Sequence, residues 1–571
     1  MNTIEYTYVS LLADVARLSG FSEIRGSYEG LQWVLIEAPK LEKEVLRSIE
    51  DGRKPNLDLF PVWLRRLVVA SVVEAKMLRL LRQLLLFCYK AEVPHDRQTT
   101  ERALDGFFRT NAVVGNWGKS LATQCPVLLD RARKHCQSVL YMFHGDRIKP
   151  SHGPGAALTN KNSWEHLYTS IEAVYPFSDW FCLAQNAEHC ARWDDMDHSQ
   201  VIKCKLHAVP KDTRGPRLIC VHPAEAIWIQ QGVRRELERA IGSKRYCIGP
   251  WPRGQIRFND QTVNGRIALI ASRNRKFATI DMKEASDRIS DKLVQYLFGE
   301  KYKYFGCCRA SEVYYDMDAR NRVRAPVHCY APMGNATTFP VQSLVFWSIC
   351  VATMERMGFR IPGSAFVFGD DIEVPTEVVE RVVDSLESFG LLVNKEKSFW
   401  RGAFRESCGV DAFNGVDVTP VRWKTTLNAE HPTDLQALSD MAMRLRLAGY
   451  DDASGEAYRS LRCLMRKRHG KRIFFTNNRH HGGIVEYTDD HRLVRSCPSF
   501  RKNQRFQKTV TSVWRFKEVG PADSHGWNHV LESLATLSRA KPEPVSSGHL
   551  AIPSRDVSRR LRLHRGWIDT R

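Results

Sequence analysis

Three carboxylates stand where short apolar runs end. Ser364 to Val374 reads Ser-Ala-Phe-Val-Phe-Gly-Asp-Asp-Ile-Glu-Val. The run Ala365 to Phe368 meets Gly369-Asp370 and resumes as Ile372-Glu373-Val374, which predicts a β-hairpin with a tight turn. Such a turn holds Asp370 and Asp371 at the tip of a rigid element. Neighbouring carboxylates repel each other, and a cation between them relieves that cost. Hard oxygen ligands at a fixed tip suit Mg2+. A third acid closes the short strand pattern Phe277-Ala278-Thr279-Ile280-Asp281. A helix stripe follows, with Ile289, Leu293, Val294, Leu297 and Phe298 on one side and Gly299 as the stop. The stretch between Asp281 and Asp370 is long enough to bring the two strands side by side. Carboxylates on adjacent strands would bind two Mg2+ ions, or Mn2+ in their place. One would activate an attacking hydroxyl and the other would stabilise a leaving pyrophosphate. That is the equipment of nucleotidyl transfer, where a protein mostly positions groups and neutralises charge. In isolation Gly-Asp-Asp also fits a surface turn. The pairs Asp194-Asp195, Asp451-Asp452 and Asp489-Asp490 lie in polar surroundings and read as solvated loops.

Positioning these groups falls to a chain of 571 residues, too long for one simple core, so two to four domains or subdomains are expected. Residues 1–124 read as mostly helical, with Val62 to Tyr89 a packed amphipathic stretch. Residues 125–275 mix strand and helix patterns with punctuators such as Gly153-Pro154-Gly155, Gly215-Pro216 and Gly249-Pro250. Residues 276–425 hold the three acids. In 426–571 helical stretches lead into basic, aromatic-studded sequence, and Pro542 to His549 reads as a linker or loop. The balance of 84 Lys+Arg against 64 Asp+Glu leaves +20, which calls for a polyanionic partner. Fifteen cysteines without a C-x-x-C pair fit a reducing cytosol and give zinc no support. The N-terminus carries no basic signal-peptide region. The longest stretch free of charged side chains, Ala325 to Met354, is broken by Pro and Gly and is no membrane span. Its part Val341 to Met354 has the length of a buried helix.

Three further segments carry chemistry. Lys211-Asp212-Thr213-Arg214-Gly215-Pro216-Arg217 reads as a hairpin turning at Gly-Pro. Its cations would grip a triphosphate, or form a solvated basic loop. Met333-Gly334-Asn335-Ala336-Thr337-Thr338-Phe339 opens the apolar helix. It offers groups for a ribose or a template backbone, or simply caps the helix. Arg459 to Arg479 holds eight cations, no acid and Phe474-Phe475, which suits single-stranded nucleic acid. A second basic run, Arg555 to Arg565, follows it.

In this order the segments resemble the palm motifs of RNA-dependent RNA polymerases, and more closely those of the replicase subunit of the leviviruses, small positive-strand RNA bacteriophages. The residues are Val209-Pro210-Lys211 with Arg217-Leu218-Ile219, Asn259-Asp260-Gln261, Thr279-Ile280-Asp281 with Ala285 to Ser290, Met333-Gly334-Asn335 with Thr338-Phe339, and Phe368-Gly369-Asp370-Asp371. Most specific are Phe404-Arg405-Glu406-Ser407-Cys408-Gly409 and Gly415 to Pro420. The resemblance covers roughly 200 to 425. Phe368 stands where the family usually has Tyr, and His222 where an acid is usual.

The resemblance implies an α+β right-hand fold with fingers in 125–275, palm in 276–425 and thumb in 426–571, between helical N-terminal and basic C-terminal regions. It implies primer-independent copying of phage RNA in the cytoplasm of an infected bacterium. Asp281, Asp370 and Asp371 become metal ligands. Lys211, Arg214 and Arg217 become triphosphate contacts, while Ser286, Asp287, Gly334 and Asn335 become nucleotide contacts. Lys395 or Lys397 becomes a proton donor to pyrophosphate. The expected partners are a single-stranded RNA template, nucleoside triphosphates, host elongation factors Tu and Ts and an RNA-binding ribosomal protein, with no membrane. A reverse transcriptase or a non-catalytic RNA-binding protein is the rival reading.

Overall fold

The computed structural model describes residues 2–119, 126–151, 202–243, 254–318, 321–359, 365–498, 500–503, 508–519 and 560–570, with positions 153, 157 and 158. Asp194-Asp195, Pro154-Gly155, Gly249-Pro250, Ser364, Pro542–His549 and Arg555–Arg559 lie outside them.

The chain opens with α1 (Thr3–Ser19), α2 (Ala38–Asp51), α3 (Val62–Ser71), α4 (Ala75–Leu86), α5 (Arg97–Lys119) and α6 (Pro126–Leu140). At α1 the Asn2 side chain accepts from the Glu5 N–H and Glu5 reaches back to Asn2, a reciprocal cap. Gly20, at φ 78°, ends the helix. The Val62 to Tyr89 pattern forms two helices rather than one. The N–H groups of Val73 and Glu74 both turn back to the Ala70 carbonyl, closing α3 before α4 begins. The β-branched pair Val72-Val73 favours that break.

The middle of the chain supplies β1 (Lys203–Asp212), β2 (Gly215–Val221), α7 (Ala224–Ile241), α8 (Thr262–Asn274), β3 (Phe277–Lys283), α9 (Ala285–Arg288), α10 (Asp291–Phe298), α11 (Lys303–Gly306), β4 (Glu312–Asp316), β5 (Arg322–Pro326), α12 (Thr338–Arg356), β6 (Phe366–Phe368), β7 (Asp371–Pro375), α13 (Val379–Ser388) and β8 (Leu392–Val393). Two sheets result, in the orders β2-β1-β4-β5 and β6-β7-β3-β8. In the second, Ile280 pairs with Ile372 and Ala278 with Val374, and this face enters the core that α12 also fills. Every residue of α12 from Pro340 to Met354 is buried, the mark of a core helix apolar on all sides. Helix α10 stops at Gly299, at φ 56°, as its stripe predicts.

Beyond come β9 (Phe404–Ser407), β10 (Val410–Phe413), β11 (Val416–Asp417), α14 (Pro432–Leu447), α15 (Asp451–His469), β12 (Phe475–Thr476), β13 (Glu486–Tyr487), α16 (His491–Ser496), β14 (Arg501–Asn503), β15 (Lys508–Val519) and β16 (Arg560–Asp569). Asp451-Asp452 open α15 instead of forming a loop, where their charge favours the helix's positive end. Asp489-Asp490 do lie in a loop, and Asp490 caps α16. Within the basic, aromatic tail the described residues form a sheet, β14-β15-β16.

The architecture is mixed α+β with two main hydrophobic cores. One gathers residues from Leu104 to Val393. The other joins Ile4–Ala91 to residues from Phe399 to Tyr487. Into this second region runs a buried ion cluster. Arg82 is 2% exposed and meets Glu42 at 2.8 Å and Asp411 at 3.0 Å. Arg422 reaches Asp411 at 3.3 Å. No described helix is long and apolar enough to cross a membrane.

Candidate active site

Strand register sets two of the three acids opposite each other, and the third adjoins them in the turn. Asp281 pairs with Asp371 across β3 and β7, and Phe368 of β6 pairs with Asp371 from the other side. Gly369 takes φ 65° in the turn, and a Cβ there would lie 2.5 Å from the Phe339 ring, so glycine is required. Its N–H donates to Ser343 Oγ at 3.2 Å, tying the turn to α12. Phe368 packs edge-on to Phe339 with centroids 5.1 Å apart. Asp370 occupies the exposed turn. Asp371 is not at the tip, as the sequence pattern had it, but opens β7. Asp281 lies inside β3, which runs on to Lys283.

Each paired acid has a fixed partner. Asp281 Oδ2 accepts from Asn394 Nδ2 at 2.7 Å, and its N–H donates to Ser398 Oγ at 3.1 Å. Asp371 Oδ2 accepts from the Cys408 N–H at 3.0 Å. Cys408 sits at φ 50° in the β9–β10 turn. Burial, then the charges of Asp370 and Asp281, push the Asp371 carboxyl up to about 7. Burial and Asp370 raise Asp281, against the opposing charge of Lys397. On the same face by register, Glu373 is wholly buried and its carboxyl is pushed well above the usual range.

Lys397 Nζ lies 3.7 Å from Glu406 Oε1. The charges of Glu406 and Asp281 hold its ammonium well above the usual lysine range. Lys395 instead points to Glu387 at 3.9 Å and is 70% exposed. Of the two lysines, Lys397 is therefore the one coupled to the carboxylates.

The cationic hairpin forms, but its turn sits two residues earlier than Gly215-Pro216. Asp212 pairs with Gly215, leaving Thr213-Arg214 at the tip. The cause is local. Asp212 Oδ1 accepts from the Arg214 N–H at 3.0 Å and from Arg214 Nε at 3.1 Å, and Oδ2 accepts from Nη2 at 2.8 Å. With its guanidinium also over the Tyr89 ring at 5.1 Å, Arg214 is engaged within the protein. Lys211 and Arg217 are exposed. Although Lys211 keeps solvent-exposed surface, the protein around its ammonium partly desolvates it, and this, with the Arg217 charge and that of Lys397, depresses its pKa. Asp281 and Asp287 feel Lys211 and Arg217 respectively, so this hairpin and the acid-bearing sheet share one electrostatic field.

Ser286 and Asp287 lie in α9, with Ser286 Oγ donating to Asp287 Oδ1 at 3.1 Å. Burial pushes the Asp287 carboxyl up to about 6. Gly334 and Asn335 lie in the tight turn that leads into α12. A Cβ on Gly334 would lie 2.0 Å from the Cys220 carbonyl oxygen. Buried Asn335 accepts from Thr337 N and Oγ1, at 2.9 and 2.8 Å, and donates to the Cys308 carbonyl at 3.2 Å. Sequence reading missed Asn394, which no motif flags, and the Cys408 amide, which lay unrecognised within a quoted motif.

Among the described residues no three His, Cys, Asp or Glu side chains converge as a ready-made metal cluster. The donor chemistry nevertheless fits a divalent cation. Asp281, Asp370 and Asp371 are hard oxygen donors whose mutual repulsion such an ion would relieve.

Acids on neighbouring antiparallel strands beside a cationic hairpin equip a protein for phosphoryl transfer. Residues 181–445 match the family described as RNA replicase, beta-chain. The RNA-directed RNA polymerase beta chain of Enterobacteria phage fr is 37% identical over 242 residues, 42% of this chain and 40% of that protein. The RNA-directed RNA polymerase subunit beta of Enterobacteria phage SP is 35% identical over 334 residues, 57% of this chain and 54% of that protein. The matches thus span about half or less of these relatives' length. A solved chain titled "RdRp complex" aligns over 71% of this chain and 40% of that chain, with 10% identity and a TM-score of 0.40, too loose a likeness to bear on the fold.

Proposed function

We propose that this protein is an RNA-directed RNA polymerase that replicates a single-stranded RNA phage genome, without a primer. The observation that carries the reading is the register of Asp281 opposite Asp371, with Asp370 at the adjoining turn, inside a segment that matches replicase beta chains. In this reading 125–275 form fingers, 276–425 the palm and 426–571 the thumb with a basic C-terminal region. Mg2+ held by Asp281, Asp370 and Asp371 would supply an activated hydroxyl and a neutralised pyrophosphate leaving group.

The chain's own residues do the rest. Asn394 and the Cys408 amide fix the two strand-borne carboxylates. Lys397, kept protonated by Glu406 and Asp281, is placed to give a proton to departing pyrophosphate. Lys211 and Arg217 receive the triphosphate, while Arg214 supports the hairpin through Asp212. Ser286 and Asp287 read the ribose 2′-OH, and Gly334 with Asn335 shapes the nucleotide pocket from behind. Template and nucleoside triphosphates are the substrates. Host elongation factors Tu and Ts and an RNA-binding ribosomal protein are the partners in the host cytoplasm.

The test is template-dependent incorporation of labelled ribonucleotides by Asp370→Asn and Asp281→Asn. Near-total loss is expected in both, with RNA binding largely kept. Wild-type-like incorporation by either overturns the assignment, and a preference for deoxyribonucleotides would make the protein a reverse transcriptase.

A further inference from the structure

The basic run Arg459 to Arg479 does not act as one unit. On α15, Arg459 pairs with Glu456 and Arg462 with Glu486, while Arg468 donates to the Ala429 carbonyl. Those cations are largely spent. Past the helix the arrangement changes, and the partners become aromatic rings. Register puts Trp514 opposite Arg565 and Ser512 opposite Trp567, so Trp514, Arg565 and Trp567 share one face of the C-terminal sheet. Arg501, opposite Val510, lies on that face too.

A continuous cation–ring stack results. Arg501 lies over Trp567 at 4.6 Å, and Arg565 covers the same ring at 5.1 Å. Arg565 also lies over Phe474 at 5.1 Å. Phe474 stacks on Trp514, with centroids 5.6 Å apart and planes 22° apart. Lys471 closes the row over Trp514 at 5.7 Å. The opposite face carries the small core of Val485, Val513 and Ile568, and on the stack's own face Trp514 packs against the second hydrophobic core, which leaves the Trp567 end of the row uncommitted to packing.

Two features mark it as a binding surface. Trp567 is 41% exposed, and Arg501, Arg565 and Lys471 are exposed as well. Among the described residues no carboxylate lies within ion-pairing distance of these three cations; Arg565 Nε donates to Ser512 Oγ at 2.6 Å. Asp569 shares the face by register, two residues beyond Trp567. A guanidinium stacked on a ring leaves its charge uncompensated and its edge N–H donors free, whereas a carboxylate partner offsets the charge and occupies the donors. Fixed cations alternating with rings match a polymer whose phosphates alternate with bases.

We infer that this stack is a platform for single-stranded RNA, separate from the carboxylate site, with phosphates on Arg501, Arg565 and Lys471 and a base against Trp567. That the polymer is RNA rests on the replicase reading; the platform itself does not.

Binding of a labelled 12-nucleotide oligouridylate and of an RNA duplex is measured on the full chain. Trp567→Ala, Trp567→Phe and the double variant Arg501→Ala/Arg565→Ala are compared with wild type. Trp567→Ala should weaken oligouridylate binding about ten-fold or more, and duplex binding by less than about two-fold. Trp567→Phe should recover most of the loss, and the double variant should lose both affinity and salt dependence. Incorporation on a saturating short template should persist in all three, so a failed platform and a failed catalytic assignment give different patterns. Unchanged oligouridylate binding in Trp567→Ala or in the double variant overturns the proposal. So does equal loss in Trp567→Ala and Trp567→Phe. Competition by polyglutamate as strong as by RNA would also overturn it, marking a surface for acidic protein.

Discussion

Replacing Arg82 by Met should loosen the N-terminal helices while leaving the carboxylate sheet alone. The Arg82 guanidinium is 2% exposed, between Glu42 at 2.8 Å and Asp411 at 3.0 Å. It also donates to the Val418 carbonyl at 3.3 Å and lies over the Phe404 ring at 5.0 Å. Breaking a buried pair by removing one partner costs about 3–5 kcal/mol, because a charge is stranded. Two observations favour the lower end. Arg422 stays 3.3 Å from Asp411, and the Glu42 side chain keeps 12% exposure to water. Methionine follows the apolar stem of arginine, so the cavity left is small. A loss of about 3 kcal/mol corresponds to roughly a hundred-fold faster local opening. Native-state hydrogen exchange reads this segment by segment in a chain too large for one unfolding transition. Amides of α2, α4 and β10 should exchange about a hundred-fold faster in Arg82→Met, and those of β3 and β7 should be much less affected. The double variant Arg82→Met/Asp411→Asn should recover part of the loss, because one stranded charge is gone. Acceleration below about ten-fold, or a double variant as loose as the sum of the singles, would refute the reasoning.

RNA affinity should fall steeply with salt. For a chain of net charge +20 that contacts several phosphates, a log–log slope steeper than about −3 is expected in binding titrations, and a flat dependence would mean the charge is not used on RNA. Arg217→Lys should weaken nucleotide use and Arg217→Ala more strongly, read as KM and maximal rate beside RNA affinity. Reduced RNA affinity with unchanged nucleotide kinetics would place Arg217 on the template path. Buried His222 has its imidazole pushed down to about 4 by desolvation, and its Nε2 finds no partner among the described residues. Folding therefore favours the neutral ring. The stabilisation is full above the ordinary value near 6.5 and is lost as pH falls through 4, about 3 kcal/mol in all. Thermal melts from pH 7 to 4 should be flatter for His222→Gln than for wild type, and equal slopes would remove His222 as the cause.

The acid-bearing hairpin was legible because an aromatic run, a Gly-Asp turn and a second apolar run are all local signals. Helix α12 was legible for the same reason, since an apolar stretch broken only at its start has to be buried. Register was not local. Nothing near Asp371 in sequence says that it faces Asp281 rather than sitting at the tip, and only strand pairing decides it. The Lys211 to Arg217 turn was misplaced because a side chain outcompeted the Gly-Pro signal, as Asp212 captured both the Arg214 amide and its guanidinium. Gly334-Asn335 offered two readings, and in the structure the asparagine side chain closes a local turn onto Thr337, just before α12, within a crowded backbone crossing. Strands β15 and β16 pair across a long separation, which hid the C-terminal sheet behind its basic composition.

The second hydrophobic core has a consequence in time. Its two halves, Ile4–Ala91 and residues from Phe399 to Tyr487, are made at opposite ends of most of a translation cycle. At 5–20 residues per second, the interval between them is tens of seconds. Throughout it α1 and α4 have only each other and their neighbouring helices to pack on, and the side of α1 that α15 later covers stays open, so the nascent chain should need a holdase. Ribosome-arrested chains stopped before residue 399 should bind a hydrophobic dye through this segment, and protection there would contradict the argument. A chain that stops before residue 399 leaves that side of its α1 uncovered, so such truncated copies should be stickier and more open to proteolysis than copies that carry both halves of the core.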